Sequence, residues 1–548
     1  MSPISPIARA GGRDPMCGIA LLLGPSINDG TAATFDAMVS GIAQRGESLE
    51  QRREPTRMLA TSRLKIVDRD HAVQPWIDGT GRFSLCYNGE IFNHDDLRRR
   101  LEDEGRIQRS VSDTEVALEA YLAWGEDALL EFRGEFALAV VDHDDDSVFL
   151  ARDPAGVKPL YWARADGHLH VASEIKALTV LGVPIGEVPP GHCGIARPDA
   201  DPDLHPYIDL LTLGEGQNEL SDVDEASAAV VAAVTEAVRR RVDTDLRVGI
   251  ILSGGLDSSL VAVLASKIHP ECVAFTVGAE GSEDLDYATR LTKDLGMEHH
   301  VISIKPRHIR RSDVREAVRV SEASESGDVI NAAVSLKVFE AVHAAGIKVV
   351  LTGDGSDELF GGYDMYRTIE PSKARRLFLH KIRQLSRTEL QRVDRTSMGR
   401  CVEARVPFLD LDVLLLSMRI PTSLKVRDGY EKWIIRHAFA GVLPAYILER
   451  HKNPMSHSSG LHERVRLFKP LMGSWYRSFR YDLAGPMRRD FSIELSRHDN
   501  DLEKALSASD LGQDYSFTEK ARDLIGALRW NLRNALKPGR SSREGRAN

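Results

Sequence analysis

Short apolar runs bounded by turn residues mark the chain from Cys17 to about Gly194. Ile19–Leu23, Phe83–Tyr87, Phe136–Val141, Val148–Ala151 and Leu169–Ala172 are apolar or alternating, which predicts strands. Between them, a helical period appears at Thr34–Ala43, His94–Glu104 and Thr114–Trp124. Strands that lie close in sequence, with helices interleaved, predict a layered α+β domain.

The pattern changes after Arg197-Pro198-Asp199-Ala200-Asp201-Pro202-Asp203, which opens a polar stretch reaching about Asp224. Its Pro and Asp content reads as a linker. Strands and helices then alternate. Helix Ala226–Arg241 precedes strand Val248–Leu252, and helix Ser258–Lys267 precedes strand Val273–Val277. Helix Asp286–Leu295, strand His300–Ser303, helix Ala332–Ala345 and strand Lys348–Leu351 follow. Alternation of this kind predicts a doubly wound parallel sheet with ligands at the C-terminal strand ends. The last ~150 residues read mainly as helix.

Composition narrows the function classes. A chain of 548 residues exceeds one core and implies two or three domains. A net charge of -10 disfavours a nucleic-acid surface, which needs clustered Lys and Arg. The five cysteines, Cys17, Cys86, Cys193, Cys272 and Cys401, include no C-x-x-C pair, which fits a reducing cytoplasm rather than a disulfide framework. No apolar run approaches the ~18 residues that span a membrane. Residues 1–15 lack the apolar stretch of a secretory signal, and the basic residues of Lys537–Asn548 read as a solvated tail.

Two loops carry candidate phosphate chemistry. Strand Val248–Leu252 runs into Ser253-Gly254-Gly255-Leu256-Asp257-Ser258-Ser259. Its glycines turn the backbone sharply, and the following helix adds its positive end, so the loop forms an anion nest. No Walker lysine motif occurs, and the segment resembles the pyrophosphate loop of the N-type ATP pyrophosphatases. The second loop, Thr352-Gly353-Asp354-Gly355-Ser356-Asp357-Glu358, crowds three carboxylates. That crowding is costly without a cation; Asp257 and Asp357, on neighbouring loops, are positioned to share Mg²⁺. Lys432 and Lys452 are candidate cations for leaving phosphoryl charge.

A third constellation lies near the start. Cys17 in Met16-Cys17-Gly18-Ile19-Ala20 is a thiol for which a freed α-amine is a matched base, since an α-amino pKa of about 7.7–8.0 lies near a thiol's of about 8.5. Arg63-Leu64-Lys65-Ile66-Val67 offers a guanidinium for an α-carboxylate, and Ser112-Asp113-Thr114-Glu115 a carboxylate for an α-ammonium. Tyr87-Asn88-Gly89-Glu90 offers an amide and backbone N–H groups for an oxyanion. Together they suit glutamine.

These segments resemble the glutamine-dependent, class B asparagine synthetases over nearly all of residues 16–470. The marks are M-C-G-I, R-L-x-I-V-D, Y-N-G-E-I-F-N, S-D-T-E-V, A-R-D-P-x-G-V-K-P-L-Y, A-S-E-I-K-A-L, L-S-G-G-L-D-S-S, S-E-D-L-D-Y-A, G-D-G-S-D-E-L-F-G-G-Y, E-A-R-V-P-F-L-D and E-K-W-I-I-R. The resemblance implies an N-terminal-nucleophile (αββα) glutaminase domain followed by an ATP pyrophosphatase domain, with ammonia passing between them. It implies an extension at 1–16, an amidotransferase domain at 17–195, a linker at 196–224, a synthetase domain at 225–535 and a tail at 536–548. Cys17 is then the nucleophile. Arg63, Asn88, Glu90 and Asp113 are then glutamine ligands, with Asn88 and Gly89 at the oxyanion hole. Leu252, Val277, Thr352 and Gly353 become ATP contacts beside Ser253, Gly254, Gly255 and Ser258. Asp354 becomes the acid tied to β-aspartyl-AMP. By similarity to the related β-lactam synthetases, Asp257 and Asp357 are magnesium ligands, and Lys432 and Lys452 are catalytic lysines. Glutamine and aspartate are the implied substrates in a cytoplasmic protein, and a homodimer is compatible.

Three departures stand out. Residues precede Met16, so a free amine on Cys17 requires their removal. The family's H-R-G-P-D reads Gln44-Arg45-Gly46-Glu47-Ser48. Ser326-Gly327-Asp328-Val329-Ile330-Asn331 replaces the Thr and Arg that many relatives place near the aspartate pocket. The same chemistry on another carboxylic acid, or a non-catalytic regulator, are the alternative readings.

Overall fold

A computed structural model describes residues 17–69, 73–106, 109–210, 219–278, 282–304, 309–323 and 325–451, together with residue 504. The N-terminal half is built on β1 (Gly18–Leu23), β2 (Ser48–Arg53), β3 (Arg57–Arg63), β4 (Trp76–Ile77), β5 (Phe83–Ile91) and β6 (Gly134–Asp142). It continues through β7 (Ser147–Arg152), β8 (Tyr161–Ala165), β9 (His168–Ala172), β10 (Gly186–Glu187), β11 (His192–Arg197) and β12 (Ala200–Pro206). Two six-stranded sheets result, in the orders β10-β8-β9-β1-β3-β2 and β12-β11-β7-β6-β5-β4.

Side-chain alternation explains the layering. Along β1, Ile19, Leu21 and Leu23 point between the sheets and meet Ala137, Ala139, Val148 and Leu150. Ala20 and Leu22 point the other way, onto Phe35, Met38 and Ile42 of helix Asp29–Ile42. The second sheet repeats this: Leu85, Tyr87, Phe136 and Leu138 face helices His94–Asp103 and Asp113–Trp124. With both faces of each sheet buried, the strands lose polar alternation and read as apolar runs. The architecture is αββα.

The structure revises several boundaries. The Pro/Asp stretch expected to be a linker contains β12, an antiparallel partner of β11. Edge position explains its tolerance of proline and its exposed polar residues. Strand β5 runs on to Ile91, which places Asn88, Gly89 and Glu90 on a strand. The helix expected from Ala332 begins at Ser326 and takes in the segment that departs from the family pattern.

The C-terminal half holds β13 (Val248–Ile251), β14 (Cys272–Gly278), β15 (Glu298–Ser303), β16 (Val349–Leu351) and β17 (Glu403–Arg405). All pair in parallel, in the order β15-β14-β13-β16-β17. Strand order reverses between β13 and β16. Loops leaving two such strands diverge to opposite faces and leave a crevice, where doubly wound sheets bind ligands. Helices Val223–Val242 and Leu256–Ile268 cover one face, and helices Arg311–Ser321 and Ser326–Ala344 cover the other.

Buried ion pairs join the halves. Arg45 bonds Glu174 at 2.6 Å and grips Asp394 of the C-terminal half at 2.9 and 3.0 Å. Arg241 bonds Glu135 and Asp410, both at 2.9 Å. Removing one partner from such a pair strands a buried charge and costs about 3–5 kcal/mol, so these pairs fix how the halves register.

Candidate active sites

Cys17 lies immediately before β1, nearly buried, and its sulfur accepts the Leu64 N–H at 3.0 Å. Its carbonyl accepts the Arg45 Nε–H at 2.8 Å, so the guanidinium that clamps Asp394 also holds the backbone of the candidate nucleophile. The altered loop keeps this function in Arg45 and Gly46. A Cβ on Gly46 would lie 2.2 Å from the Arg63 nitrogen, so only glycine passes there. Glu47, at a departure from the family pattern, pairs with Lys348 of the other half. Burial pushes the Cys17 thiol up to about 12, so it needs a base to become nucleophilic.

The expected glutamine residues Arg63, Asn88, Gly89, Glu90 and Asp113 sit on β3, on β5 and at the start of helix Asp113–Trp124. Arg63 closes β3 and donates to the carbonyls of Val67 at 2.9 Å and Asp68 at 3.1 Å. That bonding shapes the Leu64–Val67 segment, in which Leu64 and Ile66 pack with Cys17 and Lys65 is half-buried. Asn88 is fully buried on β5, yet among the described residues neither its amide nitrogen nor its oxygen finds a partner. Leaving such a group unpaired costs about 1–3 kcal/mol, a cost that a bound oxyanion would remove. Gly89 has φ 151°, and a Cβ there would meet the Glu135 carbonyl oxygen at 2.1 Å. Glu90 and Asp113 are both buried, and burial raises both carboxyl pKa values, with repulsion from the Asp113 charge adding to it at Glu90 and from the Glu403 charge at Asp113. An ammonium between them would relieve that repulsion. Asp113 opens helix Asp113–Trp124, capped by Ser112, and accepts the Ile91 N–H at 3.2 Å.

The second site lies at the switch point between β13 and β16. Gly254 has φ 69°, and its Cβ would strike Tyr287 and the Ala288 nitrogen at 2.7 and 2.8 Å. Ser258 Oγ accepts the Ser253 N–H at 3.2 Å and contacts Ser253 Oγ at 3.1 Å, while Gly255 caps helix Leu256–Ile268. Leu252 donates to the Phe275 carbonyl at 2.9 Å beside Val277 on β14. Gly353 approaches Asp257 so closely that a Cβ would lie 2.9 Å from the Asp257 Cβ.

Asp257 and Asp357 both grip the ammonium of Lys432, and Ser356 Oγ donates to Asp257 at 2.8 Å. The two carboxylates raise the Lys432 pKa and keep it charged, against burial. Lys432 holds a left-handed backbone, φ 54°, directly before helix Trp433–Ala438. Asp354 pairs with Arg392 at 3.0 Å across a cavity of about 360 Å³. Ser253, Asp257, Thr352, Asp357 and Lys432 line the same cavity. Lys452 lies outside the described residues.

Three residues placed at these sites lack an evident chemical signal in the sequence. Arg392, on helix Glu389–Met398, puts a cation on the cavity wall near Asn331 and Ser335 of helix Ser326–Ala344. Arg450 reaches the Ser253 carbonyl at 3.3 Å and pairs with Asp284. Arg405, at the end of β17, joins the two sites. Its carbonyl accepts the Thr352 N–H at 3.0 Å beside the cavity, while its side chain bonds Glu403 at 2.8 Å and lies 3.5 Å from Glu90. It sits inside E-A-R-V-P-F-L-D, but a lone arginine in an apolar run carries no spacing signal.

Comparison with known proteins agrees with this arrangement. Residues 16–186 match the family described as Glutamine amidotransferase domain, and residues 229–372 and 367–513 match Asparagine synthase. Escherichia coli glutamine-hydrolyzing asparagine synthetase B is 32% identical over 425 residues, covering 74% of this chain and 75% of that protein. Arabidopsis thaliana glutamine-hydrolyzing asparagine synthetase 1 is 31% identical over 483 residues, covering 81% of this chain and 78% of that protein. With two sites joined through Arg405 and relatives matched along most of their length, the chain belongs to the asparagine synthetase family.

Proposed function

We propose that the protein makes asparagine, taking nitrogen from glutamine at the first site and activating aspartate with ATP at the second. The observation that carries this reading is the bridge through Arg405. Its carbonyl accepts a hydrogen bond from the ATP-side loop, and its guanidinium forms an ion pair with the glutamine-side acid Glu90 at 3.5 Å. A second link is apolar: Cys17, Leu64 and Ile66 share one buried cluster with Val349, Met398 and Cys401. Val349 begins β16, and β16 ends at the Thr352 loop, so one strand of three residues separates the sites. Ammonia released at Cys17 would travel along this dry contact.

At the first site, Arg63 binds the glutamine carboxylate while Glu90 and Asp113 bind its ammonium. The Cys17 thiol gives its proton to its own α-amine, freed by removal of the preceding residues, and attacks the side-chain carbonyl. Asn88 Nδ2–H and the Gly89 N–H receive the oxyanion. Ammonia leaves, and water releases glutamate. Since both acids have raised pKa values, lowering the pH protonates one of them before it disturbs ordinary carboxylates. The KM for glutamine should therefore rise as pH falls through the mildly acidic range while the KM for added ammonia, corrected for its own ionisation, does not follow. Parallel pH profiles would remove the pair from the glutamine pocket.

At the second site, the Ser253–Ser258 nest holds the pyrophosphate of ATP. Asp257 and Asp357, which share the Lys432 ammonium, would also offer carboxylate oxygens beside it to a hard dication such as Mg²⁺, which would neutralise phosphate charge. Lys432 supplies the permanent positive charge there, and Arg392 holds the acceptor's carboxylate end. The acceptor's other carboxylate attacks the α-phosphorus, pyrophosphate departs, and ammonia displaces AMP. Oxygen-18 placed in the acceptor carboxylate should appear in AMP. Label found in inorganic phosphate would mean an acyl-phosphate route and would overturn the assignment of this site. The Ser326–Asn331 departure favours one second reading, the same chemistry on another carboxylic acid. Product analysis over a panel of carboxylic acids separates the two.

All five cysteines are free thiols. That state supports the cytoplasmic reading.

A further inference from the structure

One cluster of metal-binding side chains lies apart from both sites. Cys193 on β11 and His205 on β12 are direct cross-strand partners, so their side chains rise from the same face of the hairpin. Glu126, in the turn Gly125–Asp127 that follows helix Asp113–Trp124, leans over them. Cys193 Sγ lies 3.7 Å from His205 Nε2, and that nitrogen lies 2.8 Å from Glu126 Oε2. All three donor atoms fall within 4.8 Å of one another.

The bland alternative is a surface His–Glu pair above a core thiol. Exposed pairs of this kind contribute about 0–1 kcal/mol and often nothing measurable. Two features argue for more. The donors are chemically matched: a thiol, an imidazole and a carboxylate are the three ligand types that zinc accepts. The geometry is matched too. With a Zn–S bond of about 2.3 Å and a Zn–N bond of about 2.0–2.1 Å, near-tetrahedral angles put S and N about 3.6 Å apart. The observed 3.7 Å agrees. The 2.8 Å His–Glu contact is a hydrogen-bond distance, which zinc would widen by replacing the proton between them. Both side chains are about half exposed and have room to move, whereas Cys193 is fixed in the core beside Phe149.

We propose that Cys193, His205 and Glu126 form a site for one zinc ion, with water as the fourth ligand. Each ligand comes from a different element. The ion would fasten the edge hairpin β11–β12 to the end of the helix that begins at Asp113, and its open position would remain available to a small donor. Coordination replaces the S–H bond by a Zn–S bond, and the proton passes to solvent. Binding should therefore release a proton and weaken as pH falls.

Cobalt is the probe, because it takes the same geometry and absorbs light. The full-length protein, freed of metal by a chelator, is titrated with Co²⁺. We expect a near-ultraviolet thiolate-to-cobalt band that saturates at one equivalent and vanishes when Zn²⁺ is added. Cys193→Ser should lose the band, His205→Ala should bind more than about tenfold more weakly, and Cys17→Ala should bind as the parent does. Ammonia-dependent synthesis measured on the Cys193 and His205 variants confirms that they are folded. No thiolate band, or one that survives Cys193→Ser, overturns the site.

Discussion

Cys17→Ala should abolish glutamine-dependent synthesis and leave ammonia-dependent synthesis essentially intact. Removing a catalytic nucleophile costs on the order of 10⁴-fold or more, because orientation and the oxyanion hole alone cannot open the amide. No other cysteine is placed to substitute. Cys86 and Cys193 lie in the sheet cores, Cys272 begins β14, and Cys401 belongs to the C-terminal half, in the apolar cluster it shares with Cys17. The substitution is small, and it leaves Arg45 free to bond the residue 17 carbonyl, so the contact between halves should hold. Added ammonia should still reach the adenylate, since the ATP cavity takes none of its lining from Cys17. The two activities are measured side by side at saturating glutamine and at saturating ammonium. Equal loss of both would mean that Cys17 supports the fold of the synthetase half, and the two-site reading would fall.

How far the fold was legible depends on what each strand buries. β1 and the Phe136–Val141 stretch of β6 are covered on both faces, so their sequences read as apolar runs. β2 reads Ser-Leu-Glu-Gln-Arg-Arg and pairs only with β3 at the sheet edge, where exposure leaves no apolar period to find. β12 was hidden in the same way, behind its aspartates and prolines. Local chemistry was the clearest signal. The glycines at 89, 254 and 353 are required by neighbouring backbone or Cβ atoms that a Cβ would meet at under 3.0 Å, and each falls within a motif that the sequence singles out. Long-range pairing was the weakest. Arg45 reads as a remnant of an altered loop, yet it meets Asp394, nearly 350 positions away. Arg392 and Arg405 are equally mute until the fold sets them against Asp354 and Glu90.

Asp357→Asn should cut synthesis by on the order of 100-fold or more with either nitrogen source, because cation-held phosphate charge supplies several kcal/mol to the transition state. Asparagine matches the shape of aspartate, and shape matters here: a Cβ on Gly362 would come within 1.8 Å of Asp357 Oδ1, so a larger side chain would displace the backbone. The substitution therefore tests charge. With Asp357 neutral, Asp257 alone balances Lys432, and a dication would have one carboxylate instead of two. The Mg²⁺ concentration for half-maximal synthesis should rise along with the fall in rate. Glutaminase activity should largely survive, since Asp357 touches neither Cys17 nor the Glu90–Asp113 pair. Activity is measured over a Mg²⁺ titration with ATP held constant. Synthesis unchanged at limiting Mg²⁺ would remove Asp357 from the metal site and leave Lys432 as the cation that Asp257 and Asp357 exist to hold.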